Sequence, residues 1–226
     1  MSFSILVIIP EYGNRGLTVD CVFTITEKVR IVVADDAFPY DQQGLDDRCE
    51  LLSYHQNLGF SGNVNRAVRD AWDGEDVIVI LNNDTYLESK KFFIPMAELA
   101  VQSKQIVGPS IRLPNERISK HPQLLPEHTK KGLYKIKSLS GCCMVIQSSL
   151  WFDLGGLHEQ QFPSYFSDTD LCFRAGKCVI DFSCHLYHSP NSTYRKVNIK
   201  PMKKAFEDKW GVKFDVTGEY QCNLNY

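Results

Sequence analysis

The stretch that decides the fold is Val77-Ile78-Val79-Ile80-Leu81-Asn82-Asn83-Asp84-Thr85. Its five leading residues are β-branched or aliphatic, which predicts a strand buried on both faces, as in a sheet covered by helices. Two amides and a carboxylate follow directly. Open α/β sheets bind ligands beyond the carboxyl ends of their strands, so Asp84 is a candidate site residue. The alternative is a plain polar turn, because Asn and Asp are common in turns.

The composition is that of a soluble globular protein: 226 residues, 43% hydrophobic and 23% charged. A net charge of −2 gives no electrostatic reason to expect nucleic acid as a partner. No apolar run approaches the roughly 20 residues that span a bilayer, and the N-terminus lacks a signal-peptide pattern. Eight cysteines show no CxxC spacing, which indicates buried free thiols. We therefore expect a cytoplasmic protein with at most peripheral membrane contact.

Working outward from the central stretch, strands and helices alternate over the first hundred residues, which predicts a parallel sheet with right-handed crossovers. Pro10 is expected to end the first strand, because proline has no N–H to donate. The strands are predicted at 4–9, 29–34, 50–54 and 77–81, and one helix at 17–27. A second helix is predicted from the apolar stripe of Val64, Ala67, Val68 and Ala71.

The second half of the chain is less regular. Helices are predicted at 90–103 and 200–210, strands at 106–111, 140–146 and 179–185, and a loop at 114–132. Ser148 is expected to cap a short helix, and another helix opens at Asp168. Three early strands end in polar groups, and their shared edge is the expected nucleotide site. The GxGxxG and P-loop phosphate motifs are absent.

Seven segments stand out along the chain, followed by His188. They are Ile8-Ile9-Pro10-Glu11-Tyr12-Gly13-Asn14, Ile31-Val32-Val33-Ala34-Asp35-Asp36, Asn57-Leu58-Gly59-Phe60-Ser61-Gly62-Asn63-Val64-Asn65-Arg66, Leu81-Asn82-Asn83-Asp84-Thr85, Gly141-Cys142-Cys143-Met144-Val145-Ile146, Leu154-Gly155-Gly156-Leu157 and Phe166-Ser167-Asp168-Thr169-Asp170-Leu171-Cys172-Phe173-Arg174-Ala175. In this order they resemble the family 2 glycosyltransferases with a GT-A fold, especially the rhamnosyltransferase-like branch.

The resemblance implies a single α/β domain over 1–226, Rossmann-like, with a mostly parallel central sheet flanked by helices. About 1–110 would bind the nucleotide and about 111–226 the acceptor. The implied reaction moves a hexose or deoxyhexose, such as glucose, galactose or rhamnose, from a UDP- or dTDP-sugar to a hydroxyl of a glycan or glycolipid acceptor. Inversion at the anomeric carbon is part of what the family implies.

The resemblance also assigns a metal site. Asp84 matches the metal-binding carboxylate of the family's DxD-like motif, whose first acid is here Asn82. His188 falls where some members supply a second ligand, although a surface histidine is the alternative. Carboxylate, imidazole and diphosphate oxygens suit Mn²⁺ or Mg²⁺.

Asp168 matches the second acid of the family's Glu-Asp pair and is the candidate general base. Ser167 replaces the glutamate. A helix N-cap is the structural alternative for Asp168, and Asp170 is expected to be structural.

The remaining assignments concern the nucleotide-sugar. Asp35 or Asp36 would accept the N3–H of a pyrimidine, and Tyr12 would stack near the base. Arg66 would neutralise phosphate, unless it lies on a solvated helix face. Gly141 and Cys142 would line the donor-sugar side. The resemblance adds Pro10, Asn57, Gly59, Asn82 and Asn83 to this binding set.

Two other functions stay open on the sequence alone. A sugar nucleotidyltransferase shares the sheet and the carboxylates, although Gly13-Asn14-Arg15-Gly16 is only a faint form of its usual loop. A non-catalytic nucleotide-sugar or glycan-binding module would explain why Asn82 and Ser167 replace acids. The basic residues around the last helix, Lys203 included, could contact an anionic membrane or a lipid-diphosphate acceptor, and a solvated helix is the alternative.

Overall fold

The computed structural model describes residues 3–36, 44–113, 123, 132–189 and 197–213. Its strands are β1 (Ile5–Glu11), β2 (Arg30–Asp36), β3 (Cys49–Tyr54), β4 (Val77–Leu81), β5 (Thr85–Leu87), β6 (Ile106–Arg112), β7 (Leu133–Ile136), β8 (Cys143–Gln147) and β9 (Cys178–His188). Its helices are α1 (Arg15–Phe23), α2 (Gly59–Ala71), α3 (Phe93–Ser103), α4 (Ser148–Asp153), α5 (Ser167–Ala175) and α6 (Lys200–Trp210). Apart from residues 123 and 132, the predicted loop at 114–132 lies outside the described residues.

All of these strands belong to one sheet, in the order β3-β2-β1-β4-β8-β6-β9-β5, with β7 paired to β9. The pairs from β3 to β4 are parallel, and α1 and α2 supply the crossovers that parallel pairing needs. Beyond β4 the sheet is mixed. There β8 is antiparallel to both β4 and β6, β6 is parallel to β9, and β5 and β7 are antiparallel to β9. The parallel half therefore coincides with the alternating strands and helices predicted for the first hundred residues.

The central strand β4 is buried along its whole length, as its composition predicts. Val77, Val79 and Leu81 join the apolar layer under α1 and α3. Ile78 and Ile80 join the layer on the opposite face, where the whole predicted stripe of α2 packs. The sheet is thus covered on both faces, and the functional side chains are left at its edge.

Several predicted boundaries are wrong. The helix predicted at 17–27 runs from Arg15 to Phe23, and the strand predicted at 179–185 continues to His188. Pro10 does not end β1, which continues to Glu11 in register with β2. Its pairing with β4 stops at Ile8, so Pro10 has no β4 residue opposite it and its missing N–H costs no bond on that side. Ser148 is the first residue of α4 and not its cap, because its hydroxyl donates to the Glu75 carbonyl at 2.6 Å.

A third, smaller core fixes α6, whose limits match the predicted 200–210. Phe206 is fully buried and contacts Phe162, Phe166, Phe173 and Trp210, with ring centroids 5.2–6.4 Å apart. Aromatic pairs at such distances add to the stability that burial alone supplies. The helix is therefore held against α5 and the loop before it.

The seven cysteines in the described ranges are all buried and free, as expected, and Cys222 lies outside those ranges. In the same ranges no helix combines the length and the apolar character that crossing a membrane requires.

The N-terminus of α2 is fastened to the chain just before α5. The Pro163 carbonyl accepts a hydrogen bond from the Ser61 amide at 3.0 Å, and the Phe162 carbonyl accepts one from the Ser61 hydroxyl. Gly59 lies in the left-handed region at φ +71°, and a Cβ there would be 2.8 Å from the Pro163 oxygen. Glycine at this position therefore permits both the turn and the close approach.

We expect Gly59→Ala to lower the free energy of unfolding by about 1–3 kcal/mol beyond backbone strain alone. The matched control is Gly74→Ala, because Gly74 has φ +91° and nothing within 4 Å of a built Cβ. Urea unfolding of both variants gives the comparison. Equal losses in the two variants would show that the Pro163 contact contributes nothing.

Candidate functional site

A cavity of about 700 Å³ lies beyond the carboxyl ends of β1, β2 and β4. It is closed on its other sides by the start of α2, the chain before β8, the chain leading into α5, and α6. The structure brings most of the predicted site residues to this one cavity: Pro10, Tyr12, Asp36, Asn57, Gly59, Asn82, Asn83, Asp84, Gly141, Cys142 and Asp168. These residues come from distant parts of the sequence, so the cavity is a product of the whole fold.

Three of the predicted residues are not among those that line the cavity: Asp35, Arg66 and His188. Asp35 is fully buried, because successive side chains of a strand point to opposite faces and Asp36 takes the cavity side. Arg66 lies about two helical turns beyond the start of α2. Its guanidinium carbon is 4.1 Å from the centre of the Tyr54 ring.

One wall of the cavity carries Asp36. Its carboxylate accepts the Leu58 amide at 2.7 Å, and burial raises the pKa of Asp36 above its ordinary value. Asn63, which is 1% exposed, lines the same wall and donates from Nδ2 to the Ala34 carbonyl at 2.8 Å. Its Oδ1 has no hydrogen-bond partner in the part of the chain that the structure describes. Two acceptor side chains therefore stand side by side on this wall.

The sequence analysis missed Asn63. The signal was present, because Asn63 lies four residues before Ala67 and so on the buried face of α2. A polar side chain on an apolar helix face is a position that needs an explanation.

Asp84 and His188 meet because β5 pairs with the end of β9. Thr85 lies opposite His188 in that antiparallel ladder, and His188 Nε2 is 3.2 Å from Asp84 Oδ1. Burial alone would lower the pKa of His188, but Cys142 and Asp84 outweigh it and raise the pKa to about 10. A metal ion that used His188 as a ligand would have to displace this proton.

The side chains around Asp84 offer donor atoms that suit a divalent cation. The Asn82 side-chain oxygen is buried and has no hydrogen-bond partner within the described ranges, and Asn82 lines the cavity beside Asp84. Oxygen donors with one imidazole match the preference of Mn²⁺ and Mg²⁺. In those ranges, no three His, Cys, Asp or Glu side chains converge as a ready-made metal cluster. The residues fit a cation whose remaining ligands come from a bound diphosphate.

Asp168 lies in the first turn of α5, two residues after Phe166. Its carboxylate accepts the Gly141 amide and the Thr169 amide, each at 2.8 Å. Burial raises the pKa of Asp168, and these two bonds only partly offset it. Phe166, which precedes α5, has φ +68°, a conformation that non-glycine residues rarely adopt. A carboxylate with a raised pKa and a fixed orientation can take up a proton from a bound hydroxyl.

Gly141 is what allows this arrangement. A Cβ at residue 141 would stand 3.0 Å from the Asp168 Cβ and 3.1 Å from Oδ2. Any larger residue would push the carboxylate away from the cavity.

One cation lines the cavity. Lys203 of α6 is the only lysine or arginine among the lining residues in the described ranges. Val197 and Ile199, which the sequence analysis did not single out, accompany it on this wall.

A second cavity, of about 720 Å³, lies between α2 and α4. Its floor carries Trp72 and Phe152, and Glu159 is its one lining carboxylate in the part of the chain described. Because the first cavity is lined by four carboxylates, those of Glu11, Asp36, Asp84 and Asp168, it is the candidate active site.

No protein-family model matches the sequence, and no curated protein matches it. Solved structures do match the fold. GalNAc-T7 with UDP, GalNAc and Mn²⁺ aligns with a TM-score of 0.71 over 91% of this chain at 12% identity. S. aureus TarS 1–349 with UDP-GlcNAc gives 0.68 over 90% at 14% identity. The mannosyltransferase PcManGT from Pyrobaculum calidifontis, with GDP-Man and Mn²⁺, gives 0.63 over 86% at 15% identity. This chain has the GT-A fold.

At these identities the likeness establishes the GT-A fold alone. All three neighbours are GT-A glycosyltransferases, and the rhamnosyltransferase-like branch is not singled out among them. The chain spans 48%, 64% and 59% of the three matched chains, respectively. The reaction of this chain must therefore be inferred from the residues that line its own cavity.

Proposed function

We propose that the chain is a metal-dependent glycosyltransferase that uses a nucleoside-diphosphate sugar. The observation that carries this proposal is one cavity lined by both Asp84, the proposed cation ligand, and the half-buried Asp168, the proposed base. The GT-A fold adds support, since each of its three solved neighbours was crystallised with a nucleotide or a nucleotide-sugar.

In the proposed metal site Asp84 is the main ligand of the cation, and Asn82 and His188 are neighbours that can serve as further ligands. A divalent cation there would stabilise the negative charge that grows on the departing diphosphate. Asp36 and Asn63 would face the nucleobase and offer acceptors to its N–H groups. Tyr12 and Pro10, on the adjoining wall, would bound the nucleoside.

In the proposed reaction an acceptor hydroxyl attacks the anomeric carbon of the donor sugar. The new glycosidic bond forms as the bond from that carbon to the diphosphate oxygen breaks, and the hydroxyl proton passes to Asp168. The carbon passes through an oxocarbenium-like state, as in glycoside hydrolysis. Direct attack of this kind inverts the anomeric carbon, as the motif resemblance also implies.

The sugar and the acceptor are proposed on the motif resemblance. It favours a hexose or deoxyhexose carried by UDP or dTDP, and a glycan or glycolipid hydroxyl as acceptor. The seven buried free thiols of the described ranges suit a reducing compartment, which supports a cytoplasmic location. A role in polysaccharide synthesis is proposed on the motif resemblance.

The test is donor turnover. The protein is incubated with UDP-, dTDP- and GDP-hexoses plus Mn²⁺, and release of the nucleoside diphosphate is measured with and without oligosaccharide acceptors. A parallel reaction supplies a nucleoside triphosphate and a sugar 1-phosphate, and release of pyrophosphate is measured. Release of nucleoside diphosphate supports the proposal. Release of pyrophosphate would identify a nucleotidyltransferase, and donor binding without either product would identify a binding module.

A further inference from the structure

The candidate cavity is rich in carboxylates. They belong to Glu11, Asp36, Asp84 and Asp168. Glu11 is paired with Arg15 at 3.0 Å and Asp84 with His188 at 3.2 Å, which leaves Asp36 and Asp168 as the lining acids without an ion pair in the described ranges. A diphosphate is itself an anion, so one divalent cation would balance only part of the charge. A further positive group on the cavity wall would balance more of the combined charge.

We propose that Lys203 of α6 is the residue that binds the diphosphate of the donor. This inference rests on the proposed function. Lys203 is the only lysine or arginine on the cavity wall within the described ranges, and Arg66, the predicted phosphate ligand, packs on Tyr54 instead. Lysine binds phosphate as a compact point charge and does not need the planar geometry of arginine.

The position of Lys203 is fixed by its helix. It lies one turn after Ile199, which lines the same cavity, and its amide donates to the Ile199 carbonyl at 2.9 Å. Three residues further on, the buried Phe206 packs against Phe166, whose ring also lines the cavity, at 5.5 Å. The lysine therefore stands on the face of α6 that the core holds against the cavity.

Lys203 is partnered within its helix and is also partly exposed where it lines the cavity. The side chain of Lys203 is 25% exposed, and its Nζ is 3.8 Å from Glu207 Oε1, one turn along the same helix. An ammonium group carries three donors, so binding phosphate oxygens does not require this contact to break.

The decisive experiment compares Lys203→Ala with Lys204→Ala. Lys204 belongs to the same helix, pairs with Asp208 at 2.7 Å, is 76% exposed and does not line the cavity. Both variants lose one positive charge from α6, so they share any long-range effect. Affinities for UDP, UMP and uridine are measured in Mn²⁺ for the wild type, both variants and Lys203→Arg.

We expect Lys203→Ala to weaken UDP binding about ten-fold, in line with the strength of a hydrogen bond to a charged group. Uridine binding should not change, UMP should fall between the two, and Lys203→Arg should keep most of the UDP affinity. Lys204→Ala should match the wild type. Unchanged UDP affinity in Lys203→Ala would overturn this inference. That result would also be seen if the lysine bound an anionic acceptor instead of the donor. A wild type that binds no UDP would overturn the proposed function itself.

Discussion

Replacing Asp168 by Asn should reduce donor turnover by about 10²- to 10⁴-fold while leaving the affinity for UDP and Mn²⁺ unchanged. The factor is the usual contribution of a positioned general base. Asn fills the same volume at residue 168, next to Gly141, but it cannot take up a proton. The hydrogen bond from the Gly141 amide to the residue 168 side-chain oxygen can persist, so the cavity should keep its shape.

The pH profile separates proton transfer from a structural effect. Burial raises the pKa of Asp168 above 3.8, and a base acts only when ionised. The kcat/KM for the donor should therefore fall as the pH drops through that raised pKa. This fall should occur at a higher pH than for an aspartate of ordinary pKa. Asp168→Asn should lack this acid limb, and the exposed Asp153→Asn should retain both the limb and the rate. An active Asp168→Asn would remove Asp168 as the base.

Removing Asp170 should have the largest effect on stability. Asp170 is fully buried and accepts hydrogen bonds from Lys209 at 2.6 Å, Arg174 at 2.8 Å and Trp210 at 3.0 Å. It thereby joins α5 to the end of α6. Asp170→Ala would leave two cations facing each other without their counter-ion, and such losses cost about 3–5 kcal/mol. Because Lys209 is partly exposed, we expect the lower end of that range.

The pH dependence gives the same result independently. Burial opposes ionisation of Asp170, but the bonds from Lys209, Arg174 and Trp210 outweigh it and hold the pKa of Asp170 below its ordinary value. This stabilisation is complete above the unfolded-state pKa and disappears as the pH falls through the lower folded-state pKa.

Urea unfolding near pH 7 and near pH 3 measures the difference. The control is Asp208→Ala, whose partner Lys204 is exposed, and exposed ion pairs contribute little to stability because water screens them. A loss in Asp170→Ala no larger than this control would contradict the role of Asp170 as the tie between the two helices.

Much of the fold could be predicted because local patterns agree with the final packing. The apolar run of β4 requires cover on both faces, and the stripe of α2 defines the face that covers it. The limits of α6 were also predicted, since its apolar residues Met202 and Phe206 recur at helical spacing. The mixed half of the sheet could not be derived, because strand direction there depends on pairings between distant segments such as β6 and β9.

The site residues also divide into those that local sequence patterns predicted and those whose positions depend on tertiary packing. Acids at strand ends predicted where Asp36 and Asp84 lie, because parallel strands share one edge. The sequence did not predict that Arg66 lies away from the cavity or that Lys203 lines it. Both positions depend on how a helix packs beside the cavity. For α6 that crossing is fixed by contacts across forty residues, between Asp170 and Trp210.

Calorimetric titration of UDP into the wild type and into Asp84→Ala, each with and without Mn²⁺, tests the proposed metal site most directly. We expect Mn²⁺ to strengthen UDP binding to the wild type by about ten-fold or more, and we expect this gain to disappear in Asp84→Ala. Equal gains in the two proteins would contradict Asp84 as the metal ligand. If UDP, dTDP and GDP all fail to bind the wild type in the presence of Mn²⁺, the cavity is not a nucleotide-sugar site.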